Sequence, residues 1–186
     1  MKNINIPTSY TLETTRFILR LPSIDDIPRI FSATRYEGFN DGMLWEPPKE
    51  EAELVEPLNN NINAWESGEG FSFSIVKKEN SKLLGRLSIR QLDEEDVWDV
   101  GFWTHPDSQG QGVMTESLAA VIKFGFEKLS ATKIEACHAI WNKASEKVLK
   151  ANGLTFAKYI EKGFQKRGEW IDENLLVLTK EDWENQ

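Results

Sequence analysis

Gln109-Gly110-Gln111-Gly112-Val113-Met114-Thr115-Glu116 is the stretch on which the reading of this chain turns. It follows the apolar run Val97-Trp98-Asp99-Val100-Gly101-Phe102-Trp103-Thr104, which reads as a strand. It opens a segment with Met114, Leu118, Val121, Ile122 and Leu129 on one helical face. A strand therefore leads through a loop at 105–112 into a long helix. Gly110 and Gly112 carry no Cβ, so the backbone can turn sharply there and let a ligand approach closely. The first helical turn has unsatisfied N–H groups and the positive end of the helix dipole. Together these suit a pyrophosphate.

Two phosphate-binding motifs are excluded by the residues themselves. A Walker loop ends in Gly-Lys-Ser/Thr, whereas Gly112 is followed by Val113 and Met114. A dinucleotide fingerprint needs a third glycine where Thr115 stands, and it belongs at the start of an α/β unit rather than late in the chain. A bare Gly-x-Gly before a helix is common, so the surroundings must decide.

Upstream, residues 16–21 read as a strand, and Ser23 with Asp26 three residues on reads as a helix start. Residues 36–49 hold Gly38, Gly42, Pro47 and Pro48 and form a loop that carries Phe39 and Trp45. Residues 50–65 read as a helix that Pro57 should break or kink. Residues 71–76, with Ser72 and Ser74 alternating, read as a half-buried strand, and with 83–89 and 97–104 they form an antiparallel meander. Downstream come a strand at 133–140, a short helix at 143–151 ended by Asn152-Gly153, and two strands near 154–165 and 170–179. The order is strand, helices, three strands, helix, strand, helix, two strands. It predicts an α/β sheet of mixed direction in a single domain over residues 1–186.

Composition narrows the function. The 186 residues are 40% hydrophobic and 28% charged, and no repeat or linker divides them. The N-terminus lacks an apolar run of signal-peptide length, and the longest apolar region, 118–126, is broken by Lys123, so no membrane span is expected. Cys137, the single cysteine, favours a reducing compartment and a cytoplasmic location. A net charge of −8 argues against nucleic acid and suits a cationic substrate. Two histidines, His105 and His138, with one cysteine supply no metal cluster. His105 reads as a loop residue, His138 as a strand residue and Cys137 as core packing. Phe39, Trp45 and Trp141 read first as packing, and the loop aromatics can also line an acceptor groove.

With these residues in view, the chain resembles the GNAT superfamily of acetyl-CoA-dependent N-acetyltransferases over nearly its whole length. That family's loop, Gln/Arg-x-x-Gly-x-Gly/Ala, is met by Gln109 and Gly112, and imperfectly by Met114. The branch that acetylates ribosomal-protein N-termini is similar in detail through Val100-Gly101-Phe102-Trp103, Leu44-Trp45-Glu46-Pro47 and a second motif. The second motif, Asn-x-x-Ser and then Asn-Gly-Phe, is matched by Asn142, Ser145, Asn152 and Gly153, with Leu154 in place of Phe.

The resemblance implies a GNAT-like α/β fold of the α+β type: a central mixed, mostly antiparallel sheet flanked by helices. Acetyl-CoA, a co-substrate with no metal beside it, would enter where the fourth and fifth strands (97–104 and 133–140) splay. N–H groups around Gln109, Gly110, Gln111, Gly112, Val113, Met114 and Thr115 would hold its pyrophosphate. Phe102, Trp103 and Thr104 would pair with its pantetheine arm like an added strand, and an N–H near Phe102 or Trp103 would face the thioester oxygen. Asn142 would bind the pantetheine and also cap the helix. Ser145 would protonate the departing thiolate, and Asp99 could relay the amine's proton through water. Relatives often carry a glutamate three residues past the Gly-Phe, where this chain has Ala157 and then Lys158.

The expected reaction is direct acetyl transfer in a ternary complex to a protein N-terminal α-amine, by a monomer or homodimer. The alternatives are a small amine acceptor (polyamine, amino sugar or antibiotic) and a non-catalytic acyl-CoA-binding module.

Overall fold

Eight strands form one sheet in the order β1-β2-β3-β4-β5-β6-β8-β7 in the computed structural model, which describes residues 4–186. They are β1 (Leu12–Glu13), β2 (Phe17–Arg20), β3 (Gly70–Lys77), β4 (Leu83–Gln91), β5 (Val97–Thr104), β6 (Lys133–Ala139), β7 (Thr155–Lys166) and β8 (Glu169–Thr179). The helices are α1 (Ile27–Ala33), α2 (Val55–Ser67), α3 (Val113–Lys128), α4 (Lys143–Ala151) and α5 (Lys180–Glu184). Every strand pair is antiparallel except β5 with β6, which is parallel. The sheet is thus mixed and mostly antiparallel, as expected. The two-residue β1 was not foreseen, so the fourth and fifth strands of the sequence reading are β5 and β6.

Pro57 does not kink α2. It sits in the first turn, where a missing N–H costs nothing, and a tighter 3-10 turn (Glu51–Leu54) precedes it. The half-buried reading of residues 71–76 also needs correction, because β3 is covered on both faces. On one face, α1 packs Ile30 against Val76 and Leu83. There Ser74 donates to Asp26 Oδ2 at 2.7 Å, and Asp26 accepts two hydrogen bonds from Arg20 and one from the Ser23 N–H. Ser72 donates to Asn61 Oδ1 at 2.8 Å. Both serine hydroxyls of β3 therefore have a partner, which removes the cost of burying them.

On the other face, α3 buries Val113, Met114, Leu118, Val121 and Ile122 in the main core. Each such side chain contributes about 1.5–3 kcal/mol through burial. Phe124 of α3 meets Phe71 and Phe73 edge-on, with ring centroids 5.5 and 5.7 Å apart. Gly125 brings α3 close to the sheet, since a Cβ there would lie 2.9 Å from Ile89 of β4 and 3.0 Å from Ile134 of β6. A mid-helix glycine costs about 0.5–1 kcal/mol against alanine, which this close packing offsets. The same helix is thereby fixed to strands on either side of β5.

Candidate active site

β5 and β6 pair only at Val97, Trp98 and Asp99, opposite Lys133, Ile134 and Glu135. Past that point the strands part, and the edge of β5 from Val100 to Thr104 that faces β6 has no strand partner among the described residues. The side chains of Phe102, Trp103 and Thr104 are half-buried there. A strand edge without a partner presents alternating N–H and C=O groups, which an extended chain can pair with.

The loop after β5 is rigidly built. A 3-10 turn (Pro106–Ser108) follows buried His105, whose N–H donates to Leu84 O at 2.8 Å. His105 is no ordinary loop residue: its Nε2 lies 3.1 Å from Ser32 Oγ and its Nδ1 3.0 Å from Asp107 Oδ1. Asp107 also takes Arg29 in two bonds of 2.5 and 2.6 Å, and this guanidinium holds its carboxyl well below the usual range. The Gln109 amide donates to Thr104 O at 3.4 Å, and the Gln111 amide to Asp107 O at 3.3 Å. The side chains of the two glutamines thus fold back on the loop, and the backbone faces outward.

Gly110 and Gly112 both adopt left-handed φ, +72° and +73°. No described atom lies within 4 Å of a Cβ built at Gly110. The side chains of Val113 and Met114 plunge into the core and seat the helix start. The backbone N–H groups of Gly110, Gln111, Gly112, Val113, Met114 and Thr115 have no hydrogen-bond partner among the described residues. The next donor, Glu116 N, closes on Gly112 O at 3.1 Å. A run of free donors at a helix start, with space over Gly110, fits a pyrophosphate.

Arg16 was not singled out from the sequence, yet it braces this loop. Its Nη1 donates to Gln111 O at 2.9 Å and its Nε to Glu116 Oε2 at 2.7 Å, while its backbone N–H donates to Glu116 Oε1 at 2.9 Å. Its Nη2 lies 3.3 Å from where a Cβ of Gly112 would stand. The pair is separated by 100 residues in sequence, so no local pattern could reveal it.

The second motif arrives from the far side of the gap. Asn142 ends the turn after β6 and caps α4, its Oδ1 accepting from Ser145 N–H at 3.1 Å. That leaves the Nδ2 donors free among the described residues. Ser145 is half-buried in the first turn. The loop at 36–48 reaches the same place: a Cβ at Gly42 would lie 3.3 Å from both Asn142 Nδ2 and the Trp141 ring. Phe39 of this loop packs edge-on to Trp103, with centroids 5.4 Å apart, and to Trp45. Lys166, buried near the tip of the β7–β8 hairpin, ties the loop down by donating to Met43 O and Trp45 O at 2.9 and 2.8 Å. Glu46 completes that anchor at 3.0 Å from the same ammonium.

Asp99 marks the point where β5 and β6 part, and it is ion-paired with Arg90 of β4. Cys137 corrects an expectation: it is exposed on the same face instead of packed in the core. Local desolvation and the charges of Glu173, Asp99 and Glu135 push its thiol up to about 12, so it stays protonated and unreactive at neutral pH. His138 is buried in β6 with Nδ1 2.8 Å from Ala139 O. Among the described residues no helix is long and apolar enough to cross a membrane.

Comparisons with known proteins place this geometry. Residues 16–155 match the family model for the acetyltransferase (GNAT) domain. The uncharacterized N-acetyltransferase YnaD of Bacillus subtilis is 24% identical over 60% of this chain. The match covers 65% of YnaD, so the chain spans just under two thirds of that relative's length. The ribosomal protein uS5 alanine N-acetyltransferase of Escherichia coli is 25% identical over 96% of this chain and 95% of its own. Among solved structures, a ribosomal α-N-protein acetyltransferase, RimL, in complex with coenzyme A superposes with a TM-score of 0.83 at 19% identity, covering 91% of this chain and 98% of that one. The matched residues span β2 to β6, the loop at the start of α3 and the Asn142–Ser145 turn, and the chain belongs to the GNAT acetyltransferases.

Proposed function

We propose that this protein transfers the acetyl group of acetyl-CoA directly to a primary amine, and that the amine is the α-amino group of a protein N-terminus. The observation that carries the reading is the pair of free backbone sets, one along the edge of β5 and one at the start of α3, joined by a braced loop. The N–H groups of residues 110–115 would hold the diphosphate, and the free edge of β5 and Asn142 Nδ2 would hold the pantetheine arm. Acetyl-CoA, a substrate of the reaction, supplies the activated acyl group. A backbone N–H of Phe102 or Trp103 would stabilise negative charge on the carbonyl oxygen. Ser145 would give a proton to the departing sulfur.

The acceptor would approach the face that carries Asp99, Glu135 and Glu173, whose charge favours an ammonium group. The loop at 36–48, with Phe39 and Trp45, would contact the first residues of the peptide. The relative from Escherichia coli is named for an alanine of a ribosomal protein as acceptor, which supports a peptide over a small amine. Activation supports it too: an α-amine titrates roughly 2–3 pKa units below lysine, so it needs far less help to become nucleophilic at neutral pH.

The test is a competition near pH 7 between a peptide with a free N-terminus and its N-blocked, lysine-bearing counterpart, with polyamines and amino sugars in parallel. Faster acetylation of the free N-terminus is expected. Preference for the blocked peptide or for a small amine would defeat the acceptor assignment. Coenzyme A binding without turnover on any amine would defeat catalysis altogether.

A further inference from the structure

Across the gap from Asp99, the acceptor face holds a carboxylate that occupies neither of the positions that relatives use. Glu173 lies on β8 opposite Ala139 of β6 and Ile160 of β7. Strand alternation puts it on the face that carries Asp99, Glu135, Cys137 and Lys158. It is half-buried, and its carboxylate has neither a hydrogen bond nor an ion pair with a described residue.

β7 makes room for that carboxylate. The β7–β8 ladder slips between Ile160 and Phe164, and Gly163 sits in the slip. A Cβ at Gly163 would collide with the Glu173 side chain, lying 2.8 Å from its Cγ and 2.9 Å from its Cδ. Bulges and bare glycines of this kind commonly re-aim a side chain beside a site. Ala139, directly opposite on β6, contributes only a methyl group.

The two acids at the gap differ in what holds them. Asp99 is bound to Arg90 of β4. No described cation is bound to Glu173, and desolvation together with the charge of Asp99 pushes its carboxyl above the usual range. Other charged or titratable groups on this face include Glu135, paired with Lys133, and Cys137 from β6, Lys158 and buried Lys166 from β7, Glu169 from β8, and Arg86 from β4. Asp172, next along β8, points to the opposite face, where it binds Tyr159 and the Lys162 N–H.

On the acetyl-transfer reading above, we infer that Glu173 is the base that takes the proton of the acceptor ammonium, directly or through one water. The ammonium gives one proton to a Glu173 oxygen, and its nitrogen lone pair forms the bond to the thioester carbon. The carbon–sulfur bond breaks with its electron pair on sulfur, and the second proton lost from nitrogen ends on sulfur. Glu173 then releases its proton to solvent.

The test compares wild type with Glu173→Gln on two acceptors: a peptide α-amine and a weakly basic aromatic amine that is already neutral at pH 7. Expected for the peptide is a fall of about 10–100-fold in kcat/KM and loss of the acid limb of the pH–rate profile. The aromatic amine, with no proton to surrender before attack, should lose less than about threefold, and coenzyme A affinity by calorimetry should stay within about twofold. A purely structural role would slow both amines alike, so equal losses overturn the inference, as does an unchanged peptide rate. Should the glutamine variant fail to fold, Glu173→Asp keeps the charge one methylene shorter and must retain the acid limb. If wild type binds coenzyme A but acetylates no amine, the underlying reading falls and this inference with it.

Discussion

The loop at 105–112 and the groove under the loop at 36–48 lie toward the same end of β5, yet they are built in opposite ways. The first takes its donors from consecutive backbone N–H groups, and its side chains serve to hold the backbone still: Val113 and Met114 in the core, Gln109 and Gln111 folded back, Arg16 braced outside. The second takes its chemistry from side chains brought together from β4, β5, β6, β8 and α4, under a loop pinned by one buried lysine. The difference follows from the ligands. A diphosphate is the same in every turnover and needs only N–H groups and a dipole, which any well-shaped helix start provides. An acceptor varies between proteins, and recognising it requires side chains whose identity can change without disturbing the fold.

If the loop works through backbone alone, the most damaging substitution is one that fills it. Gly112→Val introduces a branched side chain at φ +73°, a conformation that costs it roughly 1–2 kcal/mol, and places it beside the free donors. Coenzyme A affinity measured by calorimetry should fall more than about 100-fold, with circular dichroism unchanged. A folded variant with full affinity would remove the loop from the binding site.

The boundary between the two regions is probed at Ser145. Ser145→Ala should lower kcat by about 10–100-fold while the KM for acetyl-CoA stays within about twofold. A change confined to KM would move this hydroxyl from proton transfer to binding.

The smallest effect, and the most selective, is expected in the groove. Lys166→Met keeps the length of the side chain but leaves the Met43 and Trp45 carbonyls without their donor, at a cost in stability of about 1–3 kcal/mol. Steady-state kinetics should show the acceptor KM rising about 3–10-fold with the acetyl-CoA KM unchanged. If both constants rise together, the loop at 36–48 serves the whole site and the contrast between loop and groove fails.

What could be read in advance and what could not divides along the same line. The Gly110–Gly112 loop, the amphipathic run of α3, the α4 segment with its Asn142 cap and the order of strands are local patterns. Each depends on residues within a turn or two of one another, where propensity and periodicity act. The half-buried reading of β3 failed because alternation of Phe and Ser reports polarity, and only the neighbours Asp26 and Asn61 show that the hydroxyls are satisfied and covered. Cys137 looked like core because cysteine usually is, whereas the parting of β5 and β6 leaves it facing a groove.

Sequence by itself therefore determined the fold class, the helix start with its free donors and the turn that carries Asn142 and Ser145. Only the tertiary structure decided that Arg16 braces the loop, that Lys166 ties down the segment over the groove, and that Gly163 clears space for Glu173. The physical reason is range. Hydrogen-bond caps, φ preferences and hydrophobic periods act between near neighbours, while a groove is made by strand register and by contacts between residues far apart in the chain.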